Sequence, residues 1–89
     1  MSFDPASLRF NDAGLIPVIA QDAQSGEVLM LAWMNAEAIT KTLQTGDVTY
    51  WSRSRAEFWV KGATYGNVQK LVEFRLDCDR DCLLVEVDQ

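Results

Sequence analysis

The run Asp77-Cys78-Asp79-Arg80-Asp81-Cys82 places three carboxylates and two thiols within six consecutive residues. Carboxylate oxygens are hard donors that suit Mg²⁺ or Ca²⁺, and thiolate sulfur is a soft donor that suits Zn²⁺. The run therefore carries donors for two kinds of metal chemistry; a solvated acidic loop is the plainer alternative. On a straight strand, side chains two apart point the same way but sit roughly 6.5–7 Å apart. Oxygens sharing one Mg²⁺ at about 2.1 Å must lie within roughly 4.2 Å of each other. The segment must therefore bend, or a partner subunit or a substrate phosphate must complete the shell. The same spacing opens a calcium loop of the EF-hand type, but Cys82 stands where that loop needs glycine, and Leu83-Leu84-Val85 continues as a strand. If strand alternation continues from Val68 through the run, Cys78 faces away from the three aspartates and is free to serve a separate zinc. Seven residues follow Cys82, so few further ligands are expected downstream.

A second constellation is Ser52-Arg53-Ser54-Arg55, which sets hydroxyls and guanidinium forks in a strand-to-strand turn. Arginine binds phosphate oxygens bidentately, so the turn suits a phosphorylated small molecule; a soluble hairpin tip is the alternative. Lys61-Gly62 and Gly66 bracket a turned loop of the kind that often borders a site, without the spacing of a P-loop or a dinucleotide fingerprint. Trp33, Trp51 and Trp59 read as core or interface aromatics, with stacking on a purine as the other reading. The chain has no histidine, which excludes a histidine general base and a catalytic triad and removes the commonest zinc ligand.

These residues sit in a chain of 89 residues, 48% hydrophobic and 24% charged, the balance of one small globular domain over residues 1–89. A net charge of −5 disfavours nucleic acid as a partner, yet Arg53, Arg55, Lys61 and Lys70 fall within eighteen positions and form a local cationic patch. No apolar run approaches the roughly 20 residues that cross a bilayer, so no membrane partner is expected. The start Met1-Ser2-Phe3-Asp4-Pro5 lacks the features of a signal peptide, and a cytoplasmic location is the expectation. Two cysteines four apart then suggest metal or redox chemistry rather than a structural disulfide.

The positioning elements follow from periodicity. Residues 1–13 read as an irregular lead-in. Residues 15–22 are β-branched and apolar, a strand in which Pro17 marks an edge or a strand start. Gln24-Ser25-Gly26 turns the chain, and residues 27–34 return as a near-continuous apolar strand, expected to be buried on both faces or at a subunit interface. Asn35 is an N-cap and Gly46 a stop for a helix over about 36–45, with Ala36, Ile39, Thr40 and Leu43 at helical spacing. Strands are expected at 47–52, 57–61, 68–76 and 83–87, the third with Lys70, Val72, Phe74 and Leu76 on one side. About six strands and one short helix give an α+β domain with a small, mainly antiparallel sheet.

Five segments carry a resemblance. Leu15 to Asp22, Gly26 to Asn35, Ser52-Arg53-Ser54-Arg55, Trp59-x-Lys61-Gly62 and Asp77-Cys78-Asp79-x-Asp81 resemble, in order and spacing, the phosphoribosyl-AMP cyclohydrolases of histidine biosynthesis, over about Leu15 to Gln89. The resemblance implies a hydrolase that opens the N1–C6 bond of the adenine ring of phosphoribosyl-AMP. It implies a homodimer with exchanged N-terminal segments and sites at the interface. It implies Asp77, Asp79 and Asp81 as Mg²⁺ ligands and Cys78 as one Zn²⁺ ligand, the zinc lowering the pKa of a bound water. Cys82 falls where the family has a small residue and receives no ligand role. Ser52, Arg53, Ser54 and Arg55 would contact substrate phosphate or ribose, and Lys61 would wall the site. The family loop Lys-Gly-Glu-Thr-Ser-Gly departs here to Ala63 and Tyr65, losing a carboxylate and adding bulk. The family's other zinc thiolates come from a segment beyond the position of Gln89, so a shortened or degenerate member is the expectation. The alternatives are a non-catalytic, Mg²⁺-binding homodimer that holds a phosphoribosyl nucleotide, a hydrolase for a related nucleotide, and a dimerisation domain.

Overall fold

A computed structural model describes residues 7–62 and 68–89. Its elements run β1 (Ile16–Asp22), β2 (Val28–Met34), α1 (Ala36–Thr45), β3 (Thr49–Ser52), β4 (Glu57–Val60), β5 (Lys70–Leu76) and β6 (Leu83–Asp88). Four strands form one sheet in the order β2-β1-β6-β5, and β3 and β4 form a separate hairpin. The α+β class and the mainly antiparallel pairing agree with the sequence reading. The exception is the central ladder, in which β1 and β6 run parallel.

Alternation builds one face of the large sheet. Ile16, Val18 and Ala20 of β1, Ala32 and Met34 of β2, and Leu83, Val85 and Val87 of β6 are buried. Val18 pairs with Ala32 on one side and Leu83 on the other, so these apolar side chains form continuous rows across the strands. Pro17 stands beside Trp33 of β2, one residue before the β6 ladder begins at Val18, and so costs the parallel ladder no hydrogen bond. It marks a strand start in a central strand and not an edge.

Helix α1 closes that face against β2 and β3. Asn35 caps it as expected, its side chain accepting a hydrogen bond from the Ala38 N–H at 2.8 Å. Gly46 ends it at φ +80°, donating to the Thr42 carbonyl at 2.9 Å. The buried stripe is Ala38, Ile39 and Thr42; Ala36, Thr40 and Leu43 face solvent, so of the four expected positions only Ile39 packs inward. Thr42 can be buried because its hydroxyl donates to the Ala38 carbonyl and accepts from the Thr49 N–H, tying the helix to β3.

Two further expectations are corrected. β2 is an edge strand, with Val28 63% and Leu31 67% exposed, so its apolar run is not buried on both faces within the chain. In β5 the register slips between Leu71 and Glu73, which turns Val72 out to solvent while Phe74 stays buried. A bulge changes the parity of everything beyond it, and period two alone does not foresee it. Among the described residues no helix is long and apolar enough to cross a membrane.

Candidate functional site

The acidic run forms the turn between β5 and β6. β5 ends at Leu76, and the chain reverses through 77–82 before Leu83 pairs back with Leu76. Arg80 adopts the left-handed conformation at φ +60°, an uncommon state for a residue with a side chain. The Arg80 N–H donates to the Asp77 carbonyl at 3.2 Å, and the Asp81 N–H donates to Asp77 Oδ1 at 3.1 Å. From the other side, the Arg9 N–H donates to the Arg80 carbonyl at 2.8 Å, strapping the lead-in segment to the turn. The expected bend is therefore present. Asp77, Asp79 and Asp81 each offer a carboxylate oxygen within 4.8 Å of the others, all three residues exposed.

Crowding separates the carboxyls electrostatically. The hydrogen bond with Asp77, some desolvation and the Asp77 charge together raise the Asp81 pKa above its own ordinary value. Desolvation pushes Asp77 upward too, but hydrogen bonds from the Asp81 side chain and from the Asp81, Cys82 and Arg80 N–H groups outweigh it and hold Asp77 low. Because the segment is a turn, strand alternation does not place Cys78 as expected. Both cysteines are free, Cys78 exposed and Cys82 half-buried. Desolvation, followed by the Asp77 and Asp81 charges, pushes the Cys82 thiol up, away from the thiolate a metal would need. Among the described residues, neither cysteine belongs to a group of three metal donors.

The serine-arginine turn lies between β3 and β4. Ser52 Oγ accepts from the Arg55 N–H at 3.3 Å, and Ala56 holds φ +52° to complete the reversal. A cleft of about 630 Å³ opens beside it, walled by Trp33, Trp51 and Trp59 together with residues 52–55. The three tryptophans are half-buried walls of the cleft, and Trp59 also packs against the core. Trp51 packs edge-on against Phe58 at 5.0 Å, and Trp59 lies tilted on Tyr50 at 4.9 Å. Arg53 lies over the Trp33 ring, 4.5 Å from its centroid. Arg55 instead pairs with Glu57 at 3.4 Å. Lys61 is exposed in the turn after β4 and is not among the residues walling the cleft. Ala63 and Tyr65 lie outside the described residues.

The sequence reading missed one buried device beneath this hairpin. Tyr50 is fully buried, and its hydroxyl donates to the amide oxygen of Gln69, also fully buried. Gln69 in turn donates to Gln89 at 2.9 Å. Burial raises the Tyr50 pKa well above its usual value. The tryptophan wall left a signal in parity: Trp33 alternates with the buried Ala32 and Met34, and Trp51 directly precedes the serine-arginine turn.

Among the described residues, none of the acidic turn walls the cleft beside the serine-arginine turn. The acidic turn joins β5 to β6, and Leu83, which follows it, pairs with Val18 of β1, which pairs in turn with Ala32 of β2. Trp33 therefore lies two to three strand spacings from the turn, roughly 10–14 Å.

Comparison with known proteins places this geometry. A family profile described as phosphoribosyl-AMP cyclohydrolase matches residues 30–89. The chain is 72% identical over its whole length to the phosphoribosyl-AMP cyclohydrolase of Dinoroseobacter shibae and 67% identical to that of Ruegeria pomeroyi, covering 75% of each relative. It is 71% identical over 87 residues to that of Paracoccus denitrificans, covering 98% of this chain and 72% of the relative. Identity of this degree along the whole chain, spanning both turns and the strands that carry them, shows that the chain belongs to the phosphoribosyl-AMP cyclohydrolase family.

Proposed function

We propose that this chain acts in histidine biosynthesis as a phosphoribosyl-AMP cyclohydrolase, working in the cytoplasm as a homodimer whose sites combine the acidic turn of one copy with the tryptophan-arginine cleft of the other. The reaction is hydrolytic ring opening: water oxygen bonds to C6 of the adenine ring, the N1–C6 bond breaks, and the two protons of the water pass to N1 and to the exocyclic nitrogen. C6 with its exocyclic nitrogen becomes a carboxamide.

The observation that carries the reading is the convergence of Asp77, Asp79 and Asp81 within 4.8 Å. Hard oxygen donors are the type Mg²⁺ takes, and a spacing of up to 4.8 Å is slightly wider than the roughly 4.2 Å span of two ligands across one Mg²⁺, so the donor set fits the cation in kind and would draw in on binding it. Bound there, Mg²⁺ would supply positive charge against substrate phosphate. The chain's own groups supply the rest of the binding. Ser52, Arg53, Ser54 and Arg55 offer hydroxyl and guanidinium donors to phosphate or ribose, the aromatic walls offer faces to the base, and Lys61 adds positive charge nearby. Cys78 is the thiolate this chain would bring to Zn²⁺. The described donors around it do not make up the three protein ligands a catalytic zinc uses, so no step is taken through that metal.

The dimer draws support from the acidic turn standing apart from the residues that wall the cleft and from the exposed Val28 and Leu31 on the β2 edge. The test is subunit complementation. Asp77→Ala and Arg53→Gln proteins should each fail to open phosphoribosyl-AMP, while a mixture, unfolded and refolded together, should recover about one quarter of wild-type turnover by forming one intact site per mixed dimer. Two inactive variants that stay inactive when mixed would refute the composite site. Wild-type protein that shows no turnover with added Mg²⁺ and Zn²⁺ would refute the enzyme.

A further inference from the structure

The two arginines on the cleft wall are not equivalent. Arg55 pairs with Glu57. Arg53 has no carboxylate partner among the described residues; its guanidinium lies 4.5 Å from the Trp33 ring centroid, on the wall of the cleft. The two kinds of partner leave an arginine in different states. A carboxylate neutralises the charge and occupies the N–H fork. An aromatic face attracts the charge through its quadrupole while leaving the charge in place and the fork free for another acceptor.

Trp33 is also built to be a fixed platform. It sits in β2 opposite Pro17 of β1, between the fully buried Met34 and the buried Ala32, so its backbone is held from both neighbouring residues. Arg53, by contrast, is an exposed residue in a turn, and a long side chain there samples many rotamers unless something holds it.

We propose that Trp33 is a positioning residue that holds Arg53 at the cleft wall as its uncompensated cation, so that the free guanidinium fork takes the phosphate of the ligand. The inference rests on the reading that the cleft accepts a phosphorylated adenine nucleotide. Trp33 need not stack on the adenine, since Arg53 covers one of its faces; Trp51 and Trp59 remain as walls for the base.

A thermodynamic cycle tests it, with AMP and adenosine as probes titrated calorimetrically into wild-type, Trp33→Leu, Arg53→Gln and the double variant. Trp33→Leu is expected to weaken AMP binding about three- to tenfold and to leave adenosine within about twofold, because the lost interaction serves the phosphate. In the Arg53→Gln background, Trp33→Leu should cost AMP binding nothing further, the mark of two residues acting as one unit. Independent multiplication of the two losses, or equal weakening of AMP and adenosine, would overturn the role of Trp33. Trp33→Tyr and Trp33→Phe keep a ring and guard against a misfolded leucine variant: AMP affinity should fall from Trp through the weaker rings, and a flat series would also overturn the role. Wild-type protein that binds AMP no better than adenosine would instead remove the nucleotide reading beneath it, a result distinct from an AMP preference whose variants show no coupling.

Discussion

Two turns, 53–56 and 77–82, reverse the chain between antiparallel strands, and each uses one non-glycine residue with positive φ to do so, Ala56 at +52° and Arg80 at +60°. Their electrostatics are opposite in more than sign. In the acidic turn the charges face one another: Asp77 and Asp81 share a hydrogen bond, and Asp81 is pushed toward its neutral form. In the basic turn the charges are dispersed, Arg55 to a carboxylate and Arg53 to an aromatic face. The acidic turn concentrates like charge, whereas the basic turn spreads its charge over two different partners. The two turns also belong to different sheets, the acidic one to the four-stranded sheet and the basic one to the β3–β4 hairpin.

The comparison can be broken most severely at Asp77. It accepts the Asp81 N–H and is one of the three clustered carboxylates. Asp77→Ala is expected to lower turnover by roughly 100-fold or more and to abolish any rise in melting temperature on adding Mg²⁺, which follows from linkage. A variant that still gains stability from Mg²⁺ would place the cation elsewhere.

A smaller effect sharpens the structural half of the comparison. If both turns rely on a left-handed residue, Arg80→Gly and Ala56→Gly should each be tolerated and change stability by no more than about 1 kcal/mol, since relief of the side-chain penalty and the entropy of glycine oppose each other. Chemical denaturation measures it. A loss well beyond that size at Arg80 alone would mean that its side chain, and not its backbone, sets the acidic turn.

The mildest perturbation is alkaline pH, directed at the support of the basic turn. Tyr50 is buried with its pKa raised above the usual 10 of a free tyrosine. The folded state then holds the phenolic proton more tightly than the unfolded state does. Its contribution is complete below about pH 10 and is lost as pH rises beyond that value. The melting temperature should fall above pH 10, and Tyr50→Phe should flatten the decline. An unchanged slope in that variant would show that another group titrates.

How much of this was legible in the residues depended on range. The helix and its ends were readable because Asn35 and Gly46 act locally, through a side-chain oxygen and a positive φ. The strand positions were readable from apolar alternation. The helix face was not, because Thr42 is buried only through a hydroxyl shared with Thr49, a contact between elements. The β5 bulge, the parallel β1–β6 ladder and the stacking of Arg53 on Trp33 likewise depend on partners distant in sequence. The candidate site was legible in its donors, since aspartate spacing and paired arginines are chemical facts of the sequence. Their placement, the aspartates between β5 and β6 and the arginines on the separate β3–β4 hairpin, was not, because strand order is set by packing and not by spacing.

The central β1–β6 ladder has a consequence for how the protein comes into being. Val18 and its neighbour Leu83 are 65 positions apart, so the sheet cannot close around its middle until the chain has been synthesised through β6. Contacts of such long sequence separation form late and slowly, because the intervening loop must first give up its freedom. The acidic turn lies immediately before β6, and the strap from Arg9 reaches it from the far end of the chain. The local bonds of the turn can form with the β5–β6 hairpin, but the Arg9 strap closes on it only when both ends of the chain have come together.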